Sequence, residues 1–344
     1  MPRTSRLALV LLPALACGDA SGGTASTTST PTGVDPTTGA ATAPTTGSAD
    51  LTSTSGDSEA ATTGAPKLDV PDGQTTGAID PGEGCPSVDI LFVIDNSGSM
   101  ADNQDSLINS FPGFIAGVQA QLAGARSYHI GVVTTDIYPE NPPNCIDIGD
   151  LITQTGGPES SGMQCTPFAT GTRFLDEQEP DIAAKFACMG KVGTGGSSDE
   201  RPIRGMLDAL EPQNNSPQGC NALFARPDAL LVVVLITDED DVADGCDGMG
   251  NCMSYGSGGD KYQWYDELLS YRNGVAENIV VLALIGRQLD NPCGAVPASK
   301  LLGFANMFDE RGFIGDICAD DYAPFFSEAL PVIGEACLNW VPPN

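Results

Sequence analysis

Four short, unbroken apolar runs limit most strongly what this chain can fold into: "VDILFVID" (88–95), "YHIGVVTTDI" (128–137), "ALLVVVLITD" (229–238) and "NIVVLALIG" (278–286). A strand with one wet face alternates apolar and polar residues, whereas a strand covered on both faces does not need to. Helical patterns lie between the runs. In 104–124, Leu107, Phe111, Phe114, Ile115, Val118 and Leu122 share roughly one face, with Pro112 a kink or a start. Residues 199–211 open with acids and Pro202, both start signals, and 321–340 reads as one or two final helices. Strands alternating with helices predict an α/β fold, a doubly wound, mostly parallel sheet flanked by helices. Residues 311–318 supply a last edge strand. Three Gly/Pro/Asn-rich, Cys-bearing insertions, 138–176, 212–227 and 242–262, need disulfides to tie them down.

The segment ahead of these runs has a different character. Arg3 and Arg6, the apolar stretch 7–15 and "ALAC" ending at Cys17 form a secretory signal over 1–17. It is similar to a bacterial lipoprotein signal, which implies lipid on Cys17; cleavage after "ALA" without lipid is the alternative. Gly18 after Cys17 implies, for that class, transit to the outer membrane. Residues 18–84 are Thr, Ser, Gly, Ala and Pro with almost no large aliphatic side chains and no aromatics. Such a stretch cannot bury enough apolar surface to offset its chain entropy. It reads as a disordered tether, roughly 45–50 Å end to end as a coil.

Cysteine arithmetic fits export. The chain has 11 cysteines, so a lipidated Cys17 leaves an even number able to pair in an oxidising compartment. No C-x-x-C and one histidine, His129, speak against a zinc site. The net charge of −30 excludes a nucleic-acid footprint and favours cations.

The first apolar run ends on Asp95 and leads into Ser97 and Ser99; the third ends on Thr237 and Asp238. In open α/β sheets, sites form beyond the carboxyl ends of strands. Two carboxylates and two hydroxyls brought to one sheet edge make an all-oxygen site, suited to a hard cation such as Mg²⁺.

On the Asp95-Asn96-Ser97-Gly98-Ser99 motif and the later Asp238, residues 85–342 resemble a von Willebrand factor type A (vWA) domain. The resemblance implies a metal-ion-dependent adhesion site. One Mg²⁺, or Mn²⁺ or Ca²⁺ in its place, is held by Asp95, Ser97, Ser99, Asp238 and a threonine from the loop 190–205. Thr194 is the best match for that threonine, and Ser197 or Ser198 can serve instead. It also implies function: an envelope-anchored binding or adhesion module whose cation captures a carboxylate of a protein or glycan ligand. The alternative is a structural subunit of an envelope complex with a metal-free domain. No general base or second metal belongs to that shell, so the chain is not expected to be an enzyme. In this fold the termini lie close, which pairs Cys85 with Cys337. The remaining expected pairs are Cys145–Cys165, Cys188–Cys220, Cys246–Cys252 and Cys293–Cys318.

Two further features read as structural. The acids of 238–248 match no EF-hand spacing and form a solvated loop. Tyr262, Trp264 and Tyr265 pack a loop onto the body, with a place in a ligand surface as the alternative.

Overall fold

The computed structural model describes residues 84–121, 125, 127–241, 245–246, 252–253 and 256–342. The signal, Cys17 and the tether lie outside them. All four apolar runs form strands, here β1 (Ser87–Ile94), β2 (Ser127–Thr134), β4 (Leu230–Thr237) and β7 (Ile279–Ile285). With a two-residue strand β3 (Leu175–Asp176) and the edge strand β8 (Gly312–Asp316), they make one sheet in the order β3-β2-β1-β4-β7-β8. Every pairing is parallel except that of β3. The order runs outward in both directions from a central β1/β4 pair, which marks the switch point of a doubly wound sheet.

Both faces of the sheet are covered, which is why the long strands are largely apolar. Ile90, Phe92 and Ile94 of β1 and Val232, Val234 and Ile236 of β4 pack under three helices, α1 (Ala101–Gln121), α2 (Ile182–Gly190) and α6 (Ala323–Leu338). The alternate residues Leu91, Val93, Leu231, Val233 and Leu235 pack under α3 (Pro202–Leu210), α4 (Lys261–Ser270) and α5 (Ser299–Ala305). The two faces alternate with the pleat. Helix α1 starts at Ala101, ahead of the expected 104, and runs through Pro112. Helix α6 is one helix through Pro331. No helix among the described residues is long and apolar enough to cross a membrane.

Four disulfides appear among the described residues. Cys85–Cys337 and Cys293–Cys318 are paired as expected from the sequence. The other two expectations are corrected: Cys145 joins Cys220, not Cys165, and Cys165 joins Cys188, so Cys188–Cys220 does not form. The cause is what each insertion packs on. The Asn221 side chain accepts from Leu151 N–H (2.8 Å) and donates to the Gly149 carbonyl (2.7 Å), which sets the 212–227 insertion beside Cys145. Lys185 Nζ donates to the Cys165 carbonyl (2.7 Å), which sets α2 beside Cys165. Each bridge thus joins two segments rather than closing one loop on itself. Cys246 and Cys252 face each other across a small ladder of strands β5 (Gly245–Cys246) and β6 (Cys252–Met253). Their side chains lie outside the described residues, and so does the expected bond.

Candidate metal centre

The site forms at the carboxyl end of the central strand pair. The Asp95 N–H continues the ladder by donating to the Ile236 carbonyl (2.9 Å), so its carboxylate emerges between β1 and β4. That carboxylate is fully buried. One oxygen accepts from Ser97 N–H (2.7 Å) and the other from the Thr237 hydroxyl (2.7 Å). The Ser97 and Ser99 hydroxyls lie 3.4 Å apart, because the turn into α1 presents alternate residues to one point. Gln104 of α1 braces the edge by donating to the carbonyls of Asp95 (3.0 Å) and Gly193 (2.9 Å).

Asp238 enters from β4 and is only 5 % exposed. Its Oδ1 is buried with no hydrogen-bond partner. Asp95, Ser97, Ser99 and Asp238 therefore share one sheet edge. Burial pushes the Asp95 carboxyl above its ordinary value, and the Asp238 charge adds to the shift.

The loop 190–205 is arranged otherwise than its hydroxyls suggest. Thr194 is half-buried and its N–H donates to the Pro158 carbonyl (2.9 Å). Ser197 N–H donates to Asp136 (3.1 Å) and its hydroxyl accepts from Asp199 N–H (3.2 Å), while Ser198 is exposed. The side chain that this loop delivers against Asp95 is Glu200. It is fully buried; Oε2 accepts from the Thr135 hydroxyl beyond β2 (2.5 Å) and Oε1 has no partner. Burial first, then the neighbouring Asp95 charge, push its carboxyl up to about 9. In the sequence, Asp199 and Glu200 read as first-turn acids of a helix. The helix instead starts at Pro202, one turn later. The usable signal was an acid held just ahead of a proline start, next to a Gly/Ser loop.

A pH dependence follows. From the ordinary 4.5 to about 9, folded Glu200 holds a proton that the unfolded chain has released. Stability of the metal-free domain therefore falls as pH rises through that window, by on the order of a few kcal/mol in all. Thermal melts in chelator at pH 5, 7 and 9 check this, with Tm expected to drop at each step. A Tm that rises with pH contradicts the placement of Glu200.

Other acids of "DEDD" (238–241) are engaged locally. Asp240 accepts from Lys300 and Leu301 N–H at the start of α5 (3.0 and 3.2 Å). Asp241 accepts from Ile203 N–H in α3 (3.2 Å) and from Ser257 N–H and hydroxyl (2.8 and 2.5 Å). They fix two helix ends rather than forming a second ion site; residues 242–244 and 247–251 lie outside the described residues. Trp264 is buried with its indole N–H on the Gly258 carbonyl (2.6 Å), Tyr265 packs on Phe308, and Tyr262 is exposed. His129 packs on Phe174 and bonds the Phe224 carbonyl (2.9 Å).

Two crevices flank the edge. One of about 380 Å³ is lined by Ser99, Asp102, Asn103 and Asp320. The other, about 300 Å³, is lined by Asn96, Asp136, Tyr138 and Glu140. Among the described residues, the tight Cys/Asp/Glu/His group with metal-ligand spacing is Cys145, Asp150 and Cys220, elsewhere in the domain. Its two sulfurs are joined in a disulfide, which removes the thiolates a metal needs. The sheet-edge oxygens spread more widely and include hydroxyls, the donor set a hard cation takes.

No family model matches the chain, and a search of curated proteins also returns no match. Among solved structures, the chain is similar to proximal thread matrix protein 1 from the mussel byssus, at 13 % identity and TM-score 0.37, over 73 % of this chain and 49 % of that one. It is similar to the pilus adhesin SpaC of Lactobacillus rhamnosus GG in its open conformation, at 13 % and 0.39, over 73 % and 30 %. A third is the manganese-loaded TRAP protein of Plasmodium vivax, at 13 % and 0.34, over 74 % and 75 %. The chain spans about half of the first of these or less than a third of the second.

Proposed function

We propose that this protein is an exported binding module of the vWA kind, which captures a protein or glycan ligand through a divalent cation. Asp95, Ser97, Ser99 and Asp238 would hold the ion, Mg²⁺ or in its place Mn²⁺ or Ca²⁺. The observation that carries the reading is the buried, unpartnered Oδ1 of Asp238 at the same strand edge as Asp95 and the paired serine hydroxyls. A buried carboxylate oxygen without a donor is costly, and a cation removes that cost. The bound ion supplies an electrophilic point at which an oxygen of the partner completes the shell. The chain's own residues orient it: Thr237 and Ser97 N–H fix the Asp95 carboxylate, and Gln104 ties the turn to the neighbouring loop. The four disulfides support export. Lipid on Cys17 and the 18–84 tether would hold the domain off a bacterial outer membrane. The donor set is one for holding an ion, and we read it as a binding rather than a catalytic centre.

A metal-free structural subunit is the second reading. It is favoured by Asp95 already having a donor on each oxygen. Capture from envelope extract on the immobilised full chain separates the two. A partner retained in Mg²⁺ and released by chelator supports the cation module. Retention indifferent to chelator and to Asp95→Ala supports the second reading.

A further inference from the structure

Three buried acids meet at the sheet edge, and no ion pair among the described residues reaches any of them. Arg201, next in sequence to Glu200, is committed to Asp136 (2.5 Å) and Asp199 (3.7 Å). Buried carboxyl oxygens without a donor are costly whether the group is charged or held neutral by a proton. Glu200 is also held firmly in place. Arg201 N–H donates to the Thr135 carbonyl (3.2 Å), Pro202 starts α3, and Asp241 holds Ile203 N–H (3.2 Å). This leaves Glu200 Oε1 buried and without a donor, with the Asp95 carboxyl as a neighbour, just as Asp238 Oδ1 is left at the same edge.

We infer that Glu200 is a further ligand of the cation, filling the place in the shell that a loop hydroxyl of 194–198 was expected to take. The inference rests on the cation reading above and adds a charge consequence. Two carboxylates balance a dication; Asp95, Asp238 and Glu200 together exceed it by one. An ion so held attracts a partner's carboxylate less than one held by Asp95 and Asp238 alone. The balance at its open position shifts toward a neutral oxygen, of the kind a sugar hydroxyl presents. Affinity for the ion itself rises with the count of charged ligands.

Calorimetric titration of the full chain with Mn²⁺ tests both steps, using wild type, Asp95→Ala and Glu200→Gln. Glu200→Gln keeps the shape and removes the charge, and is expected to weaken Mn²⁺ binding at least about tenfold. Acetate added to the Mn²⁺-loaded wild type is expected to give no binding. That second measurement needs no variant to fold. Equal Mn²⁺ affinity in Glu200→Gln, alongside loss in Asp95→Ala, overturns the role of Glu200 and keeps the cation reading. Millimolar acetate binding to the loaded wild type overturns the charge consequence. A wild type that takes no Mn²⁺ overturns both.

Discussion

Replacing Cys85 and Cys337 together by alanine is expected to cost the domain about 5 kcal/mol. The bridge joins a residue two positions ahead of β1 to the last turn of α6, a sequence separation of 252, and both cysteines are buried. In the chain-entropy account a cross-link restrains the unfolded chain more as its loop lengthens, so this one exceeds Cys165–Cys188, whose separation is 23 and whose share is roughly 3.5 kcal/mol. Urea unfolding of the two double variants measures the difference. For a domain of this size the loss corresponds to a fall of roughly 10–20 °C in Tm. A cost below that of the shorter loop would contradict the argument.

The second large effect lies at the opposite end of the sheet. Asp89 is fully buried near the start of β1. It accepts from Arg226 N–H (2.6 Å) and Arg226 Nε (2.8 Å), and lies 3.5 Å from Arg272 and 3.6 Å from His129 Nδ1. One carboxylate thus ties β1 to the turn before β4 and to the connection after α4. Asp89→Ala leaves Arg272, itself 2 % exposed, without its counter-charge, and is expected to cost about 3–5 kcal/mol. Replacing Asp89 by Leu and Arg272 by Met together should cost less than the sum of the two single changes, because the deeply buried Arg272 charge is then gone as well and only Arg226, whose side chain is 19 % exposed, loses its partner. Denaturant unfolding of the cycle checks this. Cation affinity of the folded variants should not change, since the network sits at the amino ends of the strands. A full additive loss in the double variant would mean that the ion pair does not act as a unit.

How much of this was legible in the sequence differs from residue to residue, for physical reasons. Strands covered on both faces write their burial directly into the chain, so β1, β2, β4 and β7 could be read as continuous apolar runs. Asp95 and Asp238 could be read because a charge that ends a buried strand has one place to go, the strand's carboxyl edge. Glu200 is harder to read, since an acid before a helix has a commoner use at the helix start, and only its place between a Gly/Ser loop and Pro202 sets it apart. The same holds for Asp240 and Asp241, which look like a solvated acidic run and instead fix the starts of α5 and α3. The pairing of Cys145 with Cys220 and of Cys165 with Cys188 depends on which insertion lies beside which, a matter of tertiary packing. Helix α2 is hard to read because "IAAKFACMG" is short, and Asp181 before it, a residue of the capping type, makes no side-chain cap.

The most direct test of the central claim is calorimetric titration of the full chain with Mg²⁺ and Mn²⁺. The account predicts one ion per chain, bound by the wild type and lost in Asp95→Ala while the variant remains folded by circular dichroism. Absence of binding in the wild type, or unchanged binding in Asp95→Ala, would contradict a cation site at this sheet edge.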